Sequence, residues 1–374
     1  MKPVYFFDEG DGKNKKLLGG KGAGLCEMTR LKLPVPPGFV ITTEVCNHYY
    51  QNNKKLPKGL LAQVKKSIAK IEKKTGKKWN SKDNPLLVSV RSGAAISMPG
   101  MMDTILNLGI NDITVEGLAK QSNNPRFALD SYRRFIQLFG KVVFGVDDKK
   151  FDEVLESAKK NQAVQSDGAL NEKSLRGIVS EYKKICEKHT GSPFPSDPFD
   201  QLELAIKAVF ASWKGERAIV YREKNNITKD IADGTAVNVV TMVFGNMGND
   251  SATGVVFTRN PGDGTNHIFG DYLLNAQGED VVAGVRTPKP VDNMKVELPT
   301  SYKQLENTCN KLEKHFREPQ DIEFTIEQGR FYLLQTRNGK MNAASMVKTS
   351  VDMVKEKLIN KDQALHRIQA EQLE

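Results

Sequence analysis

The sequence has little that would tie it to a membrane, to a secretory route or to a cysteine-held metal. No run of about 18 apolar residues occurs, so no segment reads as a membrane-spanning helix. Four cysteines, Cys26, Cys46, Cys186 and Cys309, are scattered through 374 residues without a CxxC pair. That spacing argues for free thiols in a reducing compartment and against a cysteine zinc site. The opening Met1-Lys2-Pro3-Val4-Tyr5-Phe6-Phe7-Asp8 has no apolar h-region and already carries an acid, and it is not Arg- and Ser-rich. Neither a signal nor a transit peptide is expected from it. Internal repeats and low-complexity tracts are missing too. These absences predict a soluble, cytoplasmic protein with no membrane partner.

What is present is ordinary globular material with a basic excess. Hydrophobic residues make up 39% and charged residues 27%, enough for a sizeable core in two or three domains or subdomains. The formal charge is +10, much of it in the Lys-rich stretches 54–78 and 141–188. Lysines interleaved with Leu, Ile, Ala and Glu read as solvated helix faces. No zinc finger, RNA-binding aromatic motif or basic zipper accompanies them, so no nucleic-acid partner is expected.

The hydrophobic period changes along the chain. Val4-Tyr5-Phe6-Phe7 reads as a strand, and GGKGAGLCEMTRL runs from a loop into a helix. Pro34, Pro36, Pro37 and Gly38 force an extended turn before the strand-like 39–43. Leu60, Leu61, Val64, Ile68 and Ile71 recur at helical spacing within 58–75, and Leu86-Leu87-Val88-Ser89-Val90 reads as a buried strand ending at Arg91. From 112 to 213 the pattern is helical, with helices over 127–143, 151–160, 171–188 and 199–213 and a loop at 190–198. Beyond 215 it reads as strands at 218–221, 235–243, 254–258 and 267–274, then a hairpin of 322–326 and 331–335 across Glu327-Gln328-Gly329-Arg330. Residues 344–374 return to amphipathic helix. The fold class is α+β: a nucleotide-binding type with a helical insertion.

Four groups of residues could do chemistry. Lys21, inside Gly19-Gly20-Lys21-Gly22, could bring an ammonium and a backbone amide to one phosphate; the stretch is not a Walker A sequence, and a flexible turn is the plain alternative. Arg91, at a strand end, could bind phosphate oxygens with two parallel bonds, and the following Ser92–Thr104 loop, with its Met98-Pro99-Gly100-Met101-Met102-Asp103 cluster, could close over a ligand. Asp321 and Glu323 lie two apart on a strand, so their carboxylates share a face. Gln335 and Arg337 stand across the hairpin. Two carboxylates and an amide oxygen suit Mg²⁺, although a solvated strand face explains such a pair as well. Glu279 and Asp280 sit beside a glycine-rich bend, where acids hold ribose hydroxyls or simply make a polar turn. Together these are the parts a magnesium–nucleotide site needs.

Over its whole length the chain resembles the pyruvate, phosphate dikinase family. The resemblance is carried by LLGGKGAGLCEMTRL, VPPGFVITTE, LLVSVRSGAAISMPGMMDTILNLG, NPRFALDSYRRFIQLFG, FTRNP, NAQGEDVVAGVRTP and QDIEFTIEQGRFYLLQTRNGK. Phosphoenolpyruvate synthase shares the lysine loop and the Arg-Ser start but lacks the SMPGMMDTILNLG continuation. The resemblance implies an ATP-grasp fold of two α/β lobes, with 1–111 and 198–243 as one and 244–340 as the other. A helical insertion subdomain would occupy 112–197 and a C-terminal helical linker 341–374.

It also implies roles. Lys21, Arg91 and Arg337 would bind phosphates and act in catalysis. Asp321, Glu323 and Gln335 would position Mg²⁺ and nucleotide. Glu279 or Asp280 would touch the ribose, Met242 and Val243 would offer backbone hydrogen bonds to adenine, and the loop with Met102 and Asp103 would cover the phosphates. The implied partners are ATP and AMP, phosphate and pyrophosphate, and a phosphohistidine domain of the same enzyme, which as a whole is expected to be a homodimer. None of His48, His189, His267, His315 and His366 has the Gly-rich Thr-Ser-His context of the family's phosphocarrier, so the chain is expected to be a fragment that stops before that domain. A relative that phosphorylates water or a glucan, and a non-catalytic nucleotide- or nucleic-acid-binding module, are the alternatives.

Overall fold

The computed structural model describes residues 2–282 and 286–368. They divide into two compact units, Met1–Arg30 with Pro37–Met242, and Leu31–Pro36 with Val243–Glu374. Among the described residues no helix is long and apolar enough to cross a membrane.

The first unit contains β1 (Val4–Phe6), α1 (Lys15–Arg30), β2 (Gly38–Ile41), α2 (Thr43–Gln51), α3 (Leu60–Thr75), β3 (Val88–Gly93) and β4 (Thr104–Leu108). It continues with α4 (Thr114–Ser122), α5 (Pro125–Phe144), α6 (Asp148–Gln162), α7 (Glu172–Thr190), α8 (Pro198–Ser212), α9 (Glu216–Lys224) and β5 (Ala236–Thr241). Its strands form one sheet in the order β1-β2-β5-β3-β4, antiparallel at every pairing. Strand β5 is central and buried at all six positions, which is why its sequence runs apolar rather than alternating. Helices α1 and α8 pack on this sheet, while α5 packs against α4, α7 and β4. The start of α5 is set by Asn124, whose side chain accepts from Phe127 N, and by Pro125 in the first turn; Gly145 closes it at φ 73°.

The second unit contains β6 (Ala252–Phe257), β7 (Phe269–Leu274), α10 (Gly278–Val282), β8 (Lys289–Pro290), α11 (Met294–Glu297), α12 (Pro299–Phe316), β9 (Gln320–Glu327), β10 (Arg330–Asn338), α13 (Ala343–Lys355) and α14 (Lys361–Arg367). Its antiparallel sheet runs β10-β9-β6-β7-β8. One face of the β9–β10 hairpin is core: Ile322, Phe324, Ile326 and Leu333 are fully buried, as are Leu305 and Leu312 of α12, which packs on both strands. The hairpin turns on Gln328 and Gly329 at φ 47° and 74°, the left-handed pair that matches strand twist. Arg259 is fully buried and bridges two helices, bonding Glu313 of α12 (Nε–Oε1 2.9 Å) and Glu356 at the end of α13 (Nη1–Oε1 3.1 Å).

Several local expectations are corrected. Residues 218–221 are helix rather than strand: Glu216 sits in the first turn of α9, Arg222 and Lys224 in its last, and of its residues only Ala218 is buried. Four apolar residues in a row cannot separate the two states, and the flanking charges favour the helix ends they occupy. The glycines of GGKGAG are not a loop ahead of a helix; they lie inside α1, whose axis breaks at Gly19. Strand β3 does not stop at Arg91 but runs to Gly93, and Thr43 opens α2 instead of closing β2. The amphipathic stretch after 344 is two helices, broken at Lys357 (φ 60°) and restarted by a capping box at Asn360 and Gln363.

Candidate functional site

In the first unit the lysine segment is seated on the end of the arginine strand. Gly19 breaks α1 at φ 69°, ψ 164°, and a Cβ there would lie 1.9 Å from Gly93 O. Gly20 N donates to Ala94 O at 2.7 Å. A Cβ on Gly93 would stand 3.5 Å from Lys21 Cβ, so the lysine stem abuts the strand end two residues beyond Arg91. Glycine is required at 19 both by its left-handed φ and by the close approach of two backbones.

Arg91 is half-buried and donates from Nε to Ser89 Oγ at 3.1 Å. It pairs in register with Asn238 of β5 and Thr104 of β4. Asn238 is fully buried in the middle of the apolar run of β5. Its Nδ2 donates to Arg91 O at 3.4 Å, and its Oδ1 has no partner. Sequence reasoning passed over this residue, although one amide inside Ala-Val-Asn-Val-Val-Thr is a visible anomaly.

The loop between β3 and β4 carries Met102 and Asp103, both half-buried, and is pinned by Met101 N to Met98 O at 3.2 Å and Ser92 N to Asp103 O at 3.3 Å. Burial raises the pKa of the Asp103 carboxyl above the usual carboxylate range, opposed by Arg217 of α9 at 4.0 Å. Met242 is buried just past β5, and its N–H is committed to Leu87 O at 2.9 Å. That amide is therefore taken up by the sheet, and of the 242–243 pair only other backbone groups could face a base.

The second unit brings its four predicted residues onto one sheet face. Asp321 pairs with Arg337, and Glu323 with Gln335, after a bulge between Leu333 and Gln335 that keeps the acids opposite their partners. Arg337 Nε donates to Asp321 Oδ2 at 2.6 Å, and Gln335 Nε2 donates to Glu323 Oε1 at 3.2 Å. Asp321 Oδ1 is buried with no hydrogen-bond partner. An unsatisfied buried carboxylate oxygen, a neighbouring carboxylate and an amide form a donor set that fits a hard, oxygen-seeking cation. Among the described residues no cluster of three or more His, Cys, Asp or Glu assembles, so any cation here would rest on this mixed set. Further along the same face Glu327 accepts from Phe244 N at 2.7 Å, next to Val243. That acid too escaped the sequence reading, because nothing local marks it.

Asp280 is half-buried and accepts from Gln277 N at 2.9 Å through Oδ2, closing the turn that leads into α10. The side chain of Glu279 lies outside the described residues. Two of the five histidines have plain structural partners: His267 meets Asp292 at 2.9 Å, and His189 Nε2 lies 3.0 Å from Phe144 O.

Comparison with known proteins bears on what these two groups of residues are for. The family model described as pyruvate phosphate dikinase, AMP/ATP-binding domain, matches residues 15–62, 54–306 and 292–358. Pyruvate, phosphate dikinase of Entamoeba histolytica is 59% identical over 370 residues, covering 98% of this chain and 42% of that protein. The enzyme of the same name from Clostridium symbiosum is 51% identical over 374 residues, covering 100% of this chain and 43% of its own length. Pyruvate, phosphate dikinase 2 of Zea mays is 50% identical over 361 residues, or 96% of this chain and 40% of the plant protein. The chain thus spans about two fifths of the length of the curated relatives it matches.

Proposed function

This chain belongs to the pyruvate phosphate dikinase AMP/ATP-binding family, and from that premise we propose that it binds ATP with Mg²⁺ and phosphate and delivers phosphoryl groups to a histidine on a separate domain. In the complete enzyme this would be half of the interconversion of ATP, phosphate and pyruvate with AMP, pyrophosphate and phosphoenolpyruvate. The observation that carries the proposal is the seating of the lysine segment on the strand end beyond Arg91, through Gly20 N to Ala94 O. It holds two cationic side chains on neighbouring backbone, the arrangement a triphosphate needs.

Phosphoryl transfer asks little covalent chemistry of a protein; it asks for positioning and for charge to meet charge. Lys21 and Arg91 would offset the charge of the phosphate chain, and the loop with Met102 and Asp103 would exclude water above it. Asp321, Glu323 and Gln335 would hold Mg²⁺, which would supply positive charge to offset that of the phosphates. Arg337 would exchange its bond to Asp321 for a phosphate oxygen. Asp280 or Glu279 would take the ribose, and the 242–243 backbone, apart from the committed Met242 N–H, would face adenine. We read the architecture as ATP-grasp, with lobes 1–111 plus 198–243 and 244–340, a helical insertion at 112–197 and a linker at 341–374. A cytoplasmic, homodimeric whole enzyme completes the reading.

Calorimetric titration of the chain with ATP, with and without Mg²⁺, tests it. The expected result is saturable binding that Mg²⁺ strengthens. No heat with either form of the nucleotide would leave only an inactive scaffold.

A further inference from the structure

We infer that Asn238 is a positioning residue that sets the spacing between Lys21 and Arg91, and through it the affinity for the nucleotide's phosphates; this rests on the function proposed above. The argument is geometric. The Asn238 amide is wedged between two glycines: a Cβ on Gly22 would lie 2.7 Å from its Oδ1, and a Cβ on Gly93 2.7 Å from its Nδ2. Gly22 immediately follows Lys21, and Gly93 is two residues past Arg91. One planar group therefore touches both cation-bearing segments, and a side chain on either glycine would push that segment away. The same amide donates to the carbonyl of Arg91 itself at 3.4 Å, directly across the register of β5 and β3.

The residue also costs the fold something that an apolar side chain would not. Its Oδ1 is buried without a partner, an unsatisfied acceptor that a leucine of similar shape would not carry. Packing alone does not explain an amide here. Because Asn238 is fully buried, it cannot reach a ligand, and its action has to pass through Lys21 and Arg91.

The test uses the whole chain with MgATP in the calorimeter and thermal unfolding beside it. Asn238→Leu is expected to keep or raise the unfolding temperature while weakening MgATP by about tenfold, since small misplacements of binding groups carry large penalties. Asn238→Ala, less stable, should weaken MgATP similarly. In a Lys21→Ala background each Asn238 substitution should change the affinity by less than about twofold, because the group it positions is gone. A leucine variant that binds MgATP as the parent does overturns the inference. So does an effect of the same size with and without Lys21, which marks general loosening. A parent chain that takes no MgATP overturns the proposed function, and the inference with it.

Discussion

In the first unit the segments that carry the two cations are joined through backbone. Lys21 and Arg91 stand on segments that meet through Gly20 N and Ala94 O, with Gly19 and Gly93 in the closest approach. In the second unit the acids are held by side chains: Asp321 by Arg337, and Glu323 by Gln335, across one hairpin. The difference is one of stiffness. A cation on backbone packed at glycine distance can hardly be re-aimed. A carboxylate already paired with a guanidinium is neutralised at rest, and a metal would have to compete with that partner. The first region should fail when its geometry is altered, and the second should respond when its pairing is altered.

The largest effect is expected at Arg91. Arg91→Ala should abolish nucleotide-dependent phosphorylation of a separately supplied histidine domain, by about 10³-fold or more, the scale on which arginines stabilise phosphoryl transfer. The unfolding temperature should stay close to the parent's, because the side chain is only half-buried. Undiminished phosphorylation of the histidine domain would remove Arg91 from the site and leave the first region without its chief cation.

A pair of glycine substitutions sharpens the comparison further. Gly19 and Gly329 both have a left-handed backbone, at φ 69° and 74°. A methyl on Gly19 would meet Gly93 O at 1.9 Å, while one on Gly329 would meet nothing within 4 Å. Gly329→Ala should cost about 1 kcal/mol, the conformational penalty alone. Gly19→Ala should cost roughly 3 kcal/mol, because backbone must move as well, and it should weaken ATP, since Lys21 moves with it. Chemical denaturation of both variants reads the difference. Equal costs would mean that the approach at Gly19 is soft and that the contrast between the two regions is overdrawn.

The sequence was informative where the physics is local. The β9–β10 hairpin was legible because alternation and a Gln-Gly turn pair both act within a few residues, and alternation puts Asp321 and Glu323 on one face whatever the rest of the molecule does. That the segments of Lys21 and Arg91 are neighbours was not legible: the contact of Gly19 with Gly93 spans 74 positions and leaves no periodic trace. Asn238 was passed over for the same reason, since its partners lie on two other segments. Residues 218–221 were misread because four apolar residues with one buried fit strand and helix equally until tertiary packing decides. Arg337 was seen as a phosphate ligand, and only the register shows it occupied by Asp321.

That occupancy yields the smallest and most discriminating effect, because its sign is opposite to the usual one. Asp321 is largely buried, and Arg337 is about half-exposed at 47%. Removing the guanidinium takes away the ion-pair partner of the carboxylate, and with it a positive charge that would repel a metal. Arg337→Ala should therefore bind Mg²⁺ or Mn²⁺ a few-fold more tightly without nucleotide, by roughly the worth of one partly exposed ion pair, while losing transfer activity with nucleotide. Arg330→Ala, which removes an arginine lying over Tyr332 on the same strand, controls for net charge and should leave metal affinity within error. Titration with Mn²⁺ followed by electron paramagnetic resonance measures both. Tighter metal binding in both variants would reduce the effect to bulk electrostatics. Weaker binding in Arg337→Ala alone would mean that the guanidinium orients Asp321 for the metal rather than competing with it, and the acid face would then be as geometrically set as the lysine segment.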